Sequence, residues 1–307
     1  MTRTDTPILV PLQAGGRVSY ARQVELAPLS LWQADGADAV VLIVPALGTP
    51  ARVYKRLAQQ LISMHLHVGV VELRGVGSST LRAAPDCDWG YLDLVDGEVA
   101  HGLAALRERF PALPVVAVCH SLGGQLALLH QARHAQAPFD GVVLAAASTP
   151  YWRRYPWPMS WVTRAFAELV VFCCRRFGYF PGHRLGFGGR QSASLMRQWA
   201  AFAKRGDLPA VLGLPHDLRS DRPLLGLHVR GDAYAPRGGM DALLRLGGVS
   251  RPVVSADVDG APGHFGWLKQ PARVAAQIAA FARGCRVTGD ANGPADEAAL
   301  GAPVPQA

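Results

Sequence analysis

The chain is poor in cysteine and has no long apolar run. Its 307 residues include five cysteines, whose odd number and irregular spacing exclude a disulfide framework and a zinc-binding pattern. They are Cys87, Cys119, Cys173, Cys174 and Cys285. Reduced thiols are therefore expected. Residues 1–16 are polar and lack the apolar core of a secretory signal, and no stretch is apolar enough to span a bilayer, so we expect a cytoplasmic protein.

Acidic residues are scarce between residues 151 and 206. Ten Lys and Arg residues in this segment accompany a single acidic residue, Glu168, which gives the segment a net charge of +9. The whole chain carries +8, so the segment holds essentially all of the excess positive charge. No nucleic-acid recognition motif accompanies this charge, and nucleic acid is not an expected partner.

Apolar runs typical of buried strands alternate with helical periodicity along most of the chain. After an opening hairpin at residues 17–33, the predicted strands are 39–44, 67–73, 115–119, 139–147, 223–230 and 251–258. The predicted helices are 51–64, 94–110, 125–133, 240–246 and 271–283. This alternation predicts an α/β fold with a mostly parallel, doubly wound sheet.

One interruption of this alternation defines the expected domains. Residues 149–218 are too many for an ordinary loop and predict a helical cap, or lid domain. The cap separates a first core segment, residues 1–148, from a second, residues 219–284. Residues 285–307 are rich in Ala, Gly, Pro and Asp and have too few apolar residues to offset the entropy of ordering, which predicts a disordered tail.

The apolar run 115–119 leads into Ser121 and then at once into a helical pattern. This arrangement is typical of a nucleophile elbow, a sharp strand-to-helix turn that exposes a serine hydroxyl. Cys119 replaces the first glycine of the usual Gly-x-Ser-x-Gly pattern, but it is only modestly larger. The backbone N–H groups of Leu122 and Leu47 are candidate donors to an oxyanion. A strand-to-helix junction with an N-capping serine and no catalysis is the alternative.

Two further polar residues follow predicted strands. Asp232 comes after the fifth strand, and His264 lies in a glycine-framed loop after the last. Functional residues collect at the carboxyl ends of parallel strands, so these two and Ser121 predict a catalytic triad in the order Ser, Asp, His. Asp257 and Asp259 are alternative acids. An isolated loop Asp or His is more often a turn former or a packed side chain.

On these segments the chain resembles the α/β-hydrolase superfamily over residues 18–283. The resemblance is carried by residues 72–78 (Glu-Leu-Arg-Gly-Val-Gly-Ser), the Ser121 elbow, the Asp232 loop and residues 263–266 (Gly-His-Phe-Gly). The chain departs from the superfamily pattern in having Cys119 for glycine, Pro45-Ala46 where many relatives have His-Gly, and Glu72 for Asp.

A narrower resemblance is to a bacterial group of predicted α/β hydrolases related to the serine aminopeptidase and lysophospholipase-like branch. It is carried by residues 151–152 (Tyr-Trp), 177–182 (Phe-Gly-Tyr-Phe-Pro-Gly) and 264–266 (His-Phe-Gly). From these matching segments we expect Trp152 and Phe265 to contact the substrate.

Two interpretations of the basic cap stay open. Residues 157–177 are apolar around most of a helix, with Arg164, Glu168 and Arg175 on one narrow polar stripe. The helix is either an ordinary lid packed on the core with solvated arginines, or an interfacial lid whose aromatic residues contact lipid while arginines attract an anionic membrane surface. Both accommodate a substrate with an apolar acyl group.

The sequence predicts a serine esterase, carboxylesterase or lysophospholipase-like, that acts on small-molecule esters. Its reaction would pass through an acyl-enzyme and need no metal or organic cofactor. An aminopeptidase is one alternative, although recognition of a substrate ammonium would favour acids in the cap, and its residues 151–206 include only Glu168. An acyltransferase with the same triad and a non-catalytic binding protein with the same fold are the others.

Overall fold

Seven strands form the large sheet of the computed structural model, which describes residues 8–12, 25–216, 218–248, 263–285 and 287. They are Ile8–Leu12 (β1), Glu25–Trp32 (β2), Ala39–Val44 (β3), Leu66–Val71 (β4), Val115–His120 (β5), Gly141–Ala145 (β6) and Leu224–Leu227 (β9); β7 and β8 belong to the cap. Their order across the sheet is β1-β2-β4-β3-β5-β6-β9. The last five strands in this order are parallel to one another, and β2 is antiparallel to both of its neighbours, β1 and β4. This confirms the predicted mostly parallel sheet.

The opening hairpin differs from the prediction at residues 17–33. The structure pairs β1 with β2, so the first strand lies further toward the N-terminus, and residues 17–24 are outside the described residues. Pro11 interrupts the apolar pattern of β1, and the edge position of this strand is where a sheet tolerates proline. The strand predicted at 251–258, with Asp257 and Asp259, lies outside the described residues, as does the tail except residues 285 and 287.

Helices cover both faces of the sheet. They are Lys55–Ile62 (α1), Tyr91–Leu94 (α2), Ala100–Arg109 (α3), Leu122–Arg133 (α4), Arg237–Leu246 (α9) and Ala272–Gly284 (α10), and α5 to α8 lie in the cap. A π-helical turn, Val95–Val99, joins α2 to α3. In β5, Ala117 and Cys119 belong to the core cluster shared with α3, α4 and α9, whereas Val116 and Val118 belong to the cluster shared with α1 and α10.

The chain between β6 and β9 corresponds to the predicted cap, and we keep that name for it. Its elements are Met159–Phe177 (α5), Tyr179–Pro181 (β7), Gly182–Leu185 (α6), Arg190–Ser192 (β8), Ala193–Arg205 (α7) and Leu208–Leu212 (α8). The cap has a small core of its own, in which Ala167 and Val170 of α5 meet Met196 and Ala200 of α7 around Phe180. Among the described residues, no helix is long and apolar enough to cross a membrane.

Candidate active site

Ser121 occupies a strained turn between β5 and α4. Its backbone has φ 54° and ψ −112°, a conformation that non-glycine residues adopt at a cost of about 1–3 kcal/mol. Neighbouring backbone holds it there: the Ser121 N–H donates to the carbonyl of Ala145, at 3.3 Å. A Cβ on Gly123 would lie 2.2 Å from the carbonyl oxygen of Val44, so the turn requires glycine at that position. The predicted strand-to-helix elbow is present.

A cavity of about 150 Å³ lies over this turn, between the core and the cap. Ser121, His264, Phe265 and Leu47 all line it. Its other lining residues are Ala46, Gln125, Ser148, Pro150, Tyr155, Gly186, Phe187, Gly188, Trp199 and Tyr234. No acidic residue is in this set, which covers only the described chain. The cavity therefore places a serine hydroxyl and an imidazole inside a largely aromatic wall whose described residues include no carboxylate.

Asp232 orients His264. The carboxylate Oδ2 lies 2.8 Å from His264 Nδ1, and its Oδ1 accepts hydrogen bonds from the N–H groups of Tyr234 and Ala235, at 2.9 and 3.1 Å. An ionised carboxylate can only accept, so Nδ1 carries the proton and Nε2 has its lone pair available as a base. The Asp232 side chain is fully buried, which keeps water from competing for this contact.

His120 joins the two sides of the site through a buried network. The Tyr54 hydroxyl accepts from the Ala46 N–H and lies 2.9 Å from His120 Nδ1, while His120 Nε2 lies 3.0 Å from the carbonyl oxygen of His264. That carbonyl also accepts from the indole N–H of Trp267, at 3.1 Å. Since the carbonyl cannot donate, His120 Nε2 must carry the proton and Nδ1 must accept from Tyr54.

We call these contacts the Tyr54–His120 bridge. Burial, and then the positive charge that His264 can carry, hold the pKa of His120 well below its ordinary value, which agrees with a neutral ring. The bridge ties the turn that contains Leu47 to the loop that contains His264. No sequence motif predicts the bridge, although a histidine at the end of an otherwise apolar strand is a visible signal.

A family described as serine aminopeptidase, S33 (Hydrolase_4), matches residues 35–195, which is half of the chain. The chain belongs to this family of α/β hydrolases. The matched range contains Ser121, and Asp232 and His264 lie beyond it. No curated protein matches the chain.

Solved structures of esterases and lipases share the fold. A monoglyceride lipase from Saccharomyces cerevisiae is 12% identical, with 91% of this chain and 96% of that chain covered and a TM-score of 0.63. An esterase from Thermogutta terrifontis is 19% identical over 90% and 98%, with a TM-score of 0.57. An esterase from Exiguobacterium antarcticum is 16% identical over 84% and 96%, with a TM-score of 0.55. At these identities the likeness concerns the fold.

Of the two predicted oxyanion donors, Leu47 lines the cavity of this hydrolase, and Leu122 directly follows Ser121, which also lines it. Leu122 is the first residue of α4, where backbone N–H groups have no intrahelical partner. Leu47 lines the cavity, and the bond from Ala46 to Tyr54 fixes the backbone just before it. The cap covers the same turn, because a Cβ on Gly48 would lie 2.0 Å from the carbonyl oxygen of Gly188.

Cys119 and Glu72, two departures from the superfamily pattern, have structural roles. Cys119 is a regular residue of β5, buried in the sheet, and burial raises the pKa of its thiol. Glu72 Oε1 accepts from the Ala51 N–H, and its Oε2 accepts from the backbone and hydroxyl of Ser78. The glycine-rich turn after β4 is therefore built around the carboxylate of Glu72.

Only one of the two expected substrate-contacting aromatics lies at the cavity. Phe265 lines it, whereas Trp152 is not among the described residues that do so and packs against Trp161, with ring centroids 5.3 Å apart and ring planes tilted by 45°. Trp199 and Phe187 of the cap line the cavity in its place. No sequence motif marks these two residues, because their position depends on how the cap folds onto the core.

Proposed function

We propose that the protein is a serine hydrolase that cleaves carboxylic esters with Ser121, His264 and Asp232. The observation that carries the proposal is the Asp232 carboxylate at 2.8 Å from His264 Nδ1, beside a cavity that the elbow serine also lines. Ser121 Oγ attacks the ester carbonyl as His264 Nε2 takes its proton, and Asp232 stabilises the imidazolium. The N–H groups of Leu47 and Leu122 bind the oxyanion.

The attack gives a tetrahedral intermediate. Its collapse breaks the bond between the former carbonyl carbon and the alkoxy oxygen, which leaves as the alcohol with the proton from His264. A water molecule then attacks the acyl-enzyme while His264 takes its proton. Collapse of this second tetrahedral intermediate breaks the bond between the acyl carbon and Ser121 Oγ. The oxygen takes the proton back from His264, and the carboxylic acid is released. Each proton passes through His264, so the reaction balances with water as its only co-reactant.

The surroundings of the cavity support an ester rather than a peptide with a free amino terminus. A substrate ammonium would need a carboxylate partner, and the described lining residues include none. Glu168, the acid of the basic cap segment, is paired with Arg164 and Lys204 on the cap surface. The aromatic wall formed by Phe187, Trp199 and other residues suits an apolar acyl group. Esterases and a lipase among the similar structures agree with this choice.

A fluorophosphonate probe tests the nucleophile. We expect the wild-type protein to be labelled and Ser121→Ala to be unlabelled. Ser148→Ala is the matched control, because Ser148 lines the same cavity and should leave labelling intact. Labelling that persists in Ser121→Ala contradicts the assignment of the nucleophile, and an unlabelled wild type favours the non-catalytic binding protein.

A panel of p-nitrophenyl esters and aminoacyl p-nitroanilides tests the substrate class. The cavity volume of about 150 Å³ predicts the highest kcat/KM for short acyl chains and no cleavage of the anilides. Addition of a short alcohol separates hydrolysis from acyl transfer, because a transferase would form the new ester faster than the free acid. Faster cleavage of the anilides would replace the ester proposal with the aminopeptidase.

The exposed face of α5 supports an anionic membrane surface as a partner. Trp161, Leu169 and Phe172 lie at helical spacing on one face, and Trp157 precedes the helix; the side chains of Trp157, Trp161 and Phe172 are 81%, 61% and 63% exposed. Arg175 and Arg176 follow at the exposed end of the helix. Aromatic side chains beside arginines are the combination that inserts at a bilayer interface.

Vesicle binding and activity test this second proposal. We expect activity on vesicle-presented esters to rise when the vesicles are anionic, and Trp161→Ser/Phe172→Ser to lose that rise. Val53→Ser, an exposed apolar side chain on the core, is the control and should keep it. No gain on anionic vesicles for the wild type would reject the interfacial lid and leave the lid packed on the core with solvated arginines.

A further inference from the structure

A second cavity, of about 200 Å³, lies where the cap joins the core. Three arginines from three elements line it: Arg154 from the short helical turn Trp152–Arg154, Arg205 from the end of α7, and Arg245 from α9. The remaining lining residues are Thr149, Tyr151, Gly206, Ala242 and Leu246. We call this the arginine cavity.

The positive charge of the arginine cavity has no counterpart in the described part of the chain. The lining residues include no carboxylate, and none of the three guanidinium groups forms an ion pair with a described acidic residue. Arg205 and Arg245 lie in the last turns of their helices, where the helix dipole favours a cation. That role does not account for Arg154, nor for the convergence of all three on one cavity.

Thr149 supplies an independent observation. The residue lines the arginine cavity and is 5% exposed, and its hydroxyl is buried without a hydrogen-bond partner among the described residues. A buried hydroxyl left unpaired costs about 1–3 kcal/mol, so native structures nearly always satisfy it. An anion held by the arginines would accept its hydrogen bond.

We propose that the arginine cavity binds a phosphate group. Guanidinium groups bind phosphate oxygens in pairs of parallel hydrogen bonds, and three of them match a tetrahedral anion with several oxygens better than they match a carboxylate with two. The Thr149 hydroxyl donates a further hydrogen bond. The three arginines are exposed residues, so a phosphate can reach them from solvent or on a lipid headgroup.

The wall of this cavity is shared with the candidate active site. Ser148 and Tyr155 line the cavity over Ser121, whereas their chain neighbours Thr149 and Arg154 line the arginine cavity. The phosphate site is nonetheless independent of the proposed hydrolysis, because it contains none of the residues assigned to that reaction. Its test measures binding, so failure of one proposal is distinguishable from failure of the other.

Inorganic phosphate is the first probe, added to the full chain against sodium chloride at equal ionic strength. We expect a saturable rise in the unfolding temperature for the wild type. The phosphate Kd should be at least about tenfold higher in Arg154→Gln/Arg205→Gln/Arg245→Gln, which we call the cavity triple. The matched control triple, Arg52→Gln/Arg109→Gln/Arg184→Gln, makes the same charge change at exposed arginines outside the cavity and should bind phosphate like the wild type.

Thr149 gives a test that leaves the charge unchanged. Thr149→Val removes the hydroxyl at nearly constant volume and should weaken phosphate binding about threefold to tenfold, and Thr149→Ser should restore it. Equal phosphate affinities in the two arginine triples, or no saturable effect of phosphate beyond that of chloride, would overturn the proposal.

Phosphatidylcholine vesicles containing phosphatidic acid identify the source of the phosphate. If a lipid headgroup occupies the site, the cavity triple should bind these vesicles at least about tenfold more weakly than the control triple, and inorganic phosphate should compete. If free phosphate is the ligand, the two triples should bind vesicles equally while only the cavity triple loses inorganic phosphate.

Discussion

Tyr54→Phe tests the Tyr54–His120 bridge by removing one oxygen atom. The ring remains to fill its buried site, but the Ala46 N–H and His120 Nδ1 both lose their partner. Each buried polar group left unpaired costs about 1–3 kcal/mol, so we expect the free energy of unfolding to fall by about 2–6 kcal/mol. That is a large part of the roughly 5–15 kcal/mol that stabilises a typical domain.

Tyr91→Phe is the matched control for this substitution. Tyr91 is equally buried, and its hydroxyl donates one hydrogen bond, to Gln125 Oε1 at 2.7 Å. The Gln125 side chain keeps its other bond, from Nε2 to the carbonyl of Ser148. One unpaired group predicts a loss of about 1–3 kcal/mol, about half that of Tyr54→Phe. Urea unfolding at pH 7.5 or so measures both.

The bridge also predicts an effect on catalysis. Loss of the Tyr54 hydroxyl releases the backbone just before Leu47 and, through His120, the carbonyl of His264. Small displacements of reacting groups cost up to about 100-fold in rate, so we expect kcat to fall by about 10- to 100-fold with KM nearly unchanged. A Tyr54→Phe protein no less stable than Tyr91→Phe and with wild-type kcat would refute the bridge.

Three further substitutions test the site and its supports. Asp232→Asn should keep an oxygen for the two backbone N–H groups and turn its amide toward His264 Nδ1; the resulting wrong tautomer should lower kcat about 10⁴-fold in steady-state assays, and a fall below tenfold would contradict the assigned role. Burial, and then the positive charge that His134 can carry, lower the pKa of His130 to about 4, so below pH 6.5 the unfolded chain binds more protons than the folded protein does. Stability should fall by about 3 kcal/mol from this residue as the pH drops from 6.5 to 4, and His130→Leu should flatten that dependence in urea unfolding; an unchanged slope would contradict it. Gly123→Ala places a Cβ 2.2 Å from a β3 carbonyl oxygen and should cost about 1–3 kcal/mol or more, whereas Gly284→Ala, with open space around it, should cost nothing; equal melting temperatures would refute the steric argument.

The residues that the sequence predicts at strand ends are the ones that the structure brings together. Parallel strands end at one edge of a sheet, so Ser121 after β5 and the Asp232 loop after β9 come to the same edge. His264 contacts Asp232 there, and the strand predicted before it lies outside the described residues. Local patterns sufficed there, because each residue follows an apolar run or lies in a glycine-framed loop. The turn at Leu47, which lines the cavity, follows β3 at the same edge of the sheet.

Local sequence patterns do not predict contacts between distant parts of the chain. The bridge joins Tyr54 to His120 across 66 positions and His120 to His264 across 144, and no periodicity relates such residues. Trp152 was misplaced because a cap aromatic can face the cavity, another aromatic or solvent with the same sequence pattern. The cap fold decides among these, and it puts Trp199 at the cavity instead.

Cys119 raises the question of whether a thiol two residues from Ser121 could compete with the serine that we propose as the nucleophile. Its register in β5, opposite Val44 of β3 and Leu144 of β6, makes it an ordinary strand residue in the core cluster. Burial raises the pKa of the thiol, which disfavours the reactive thiolate at neutral pH, and Cys119 is not among the described residues that line the cavity over Ser121. The elbow therefore needs a small residue at this position only for packing, a requirement that sulfur on one methylene meets as well as glycine does.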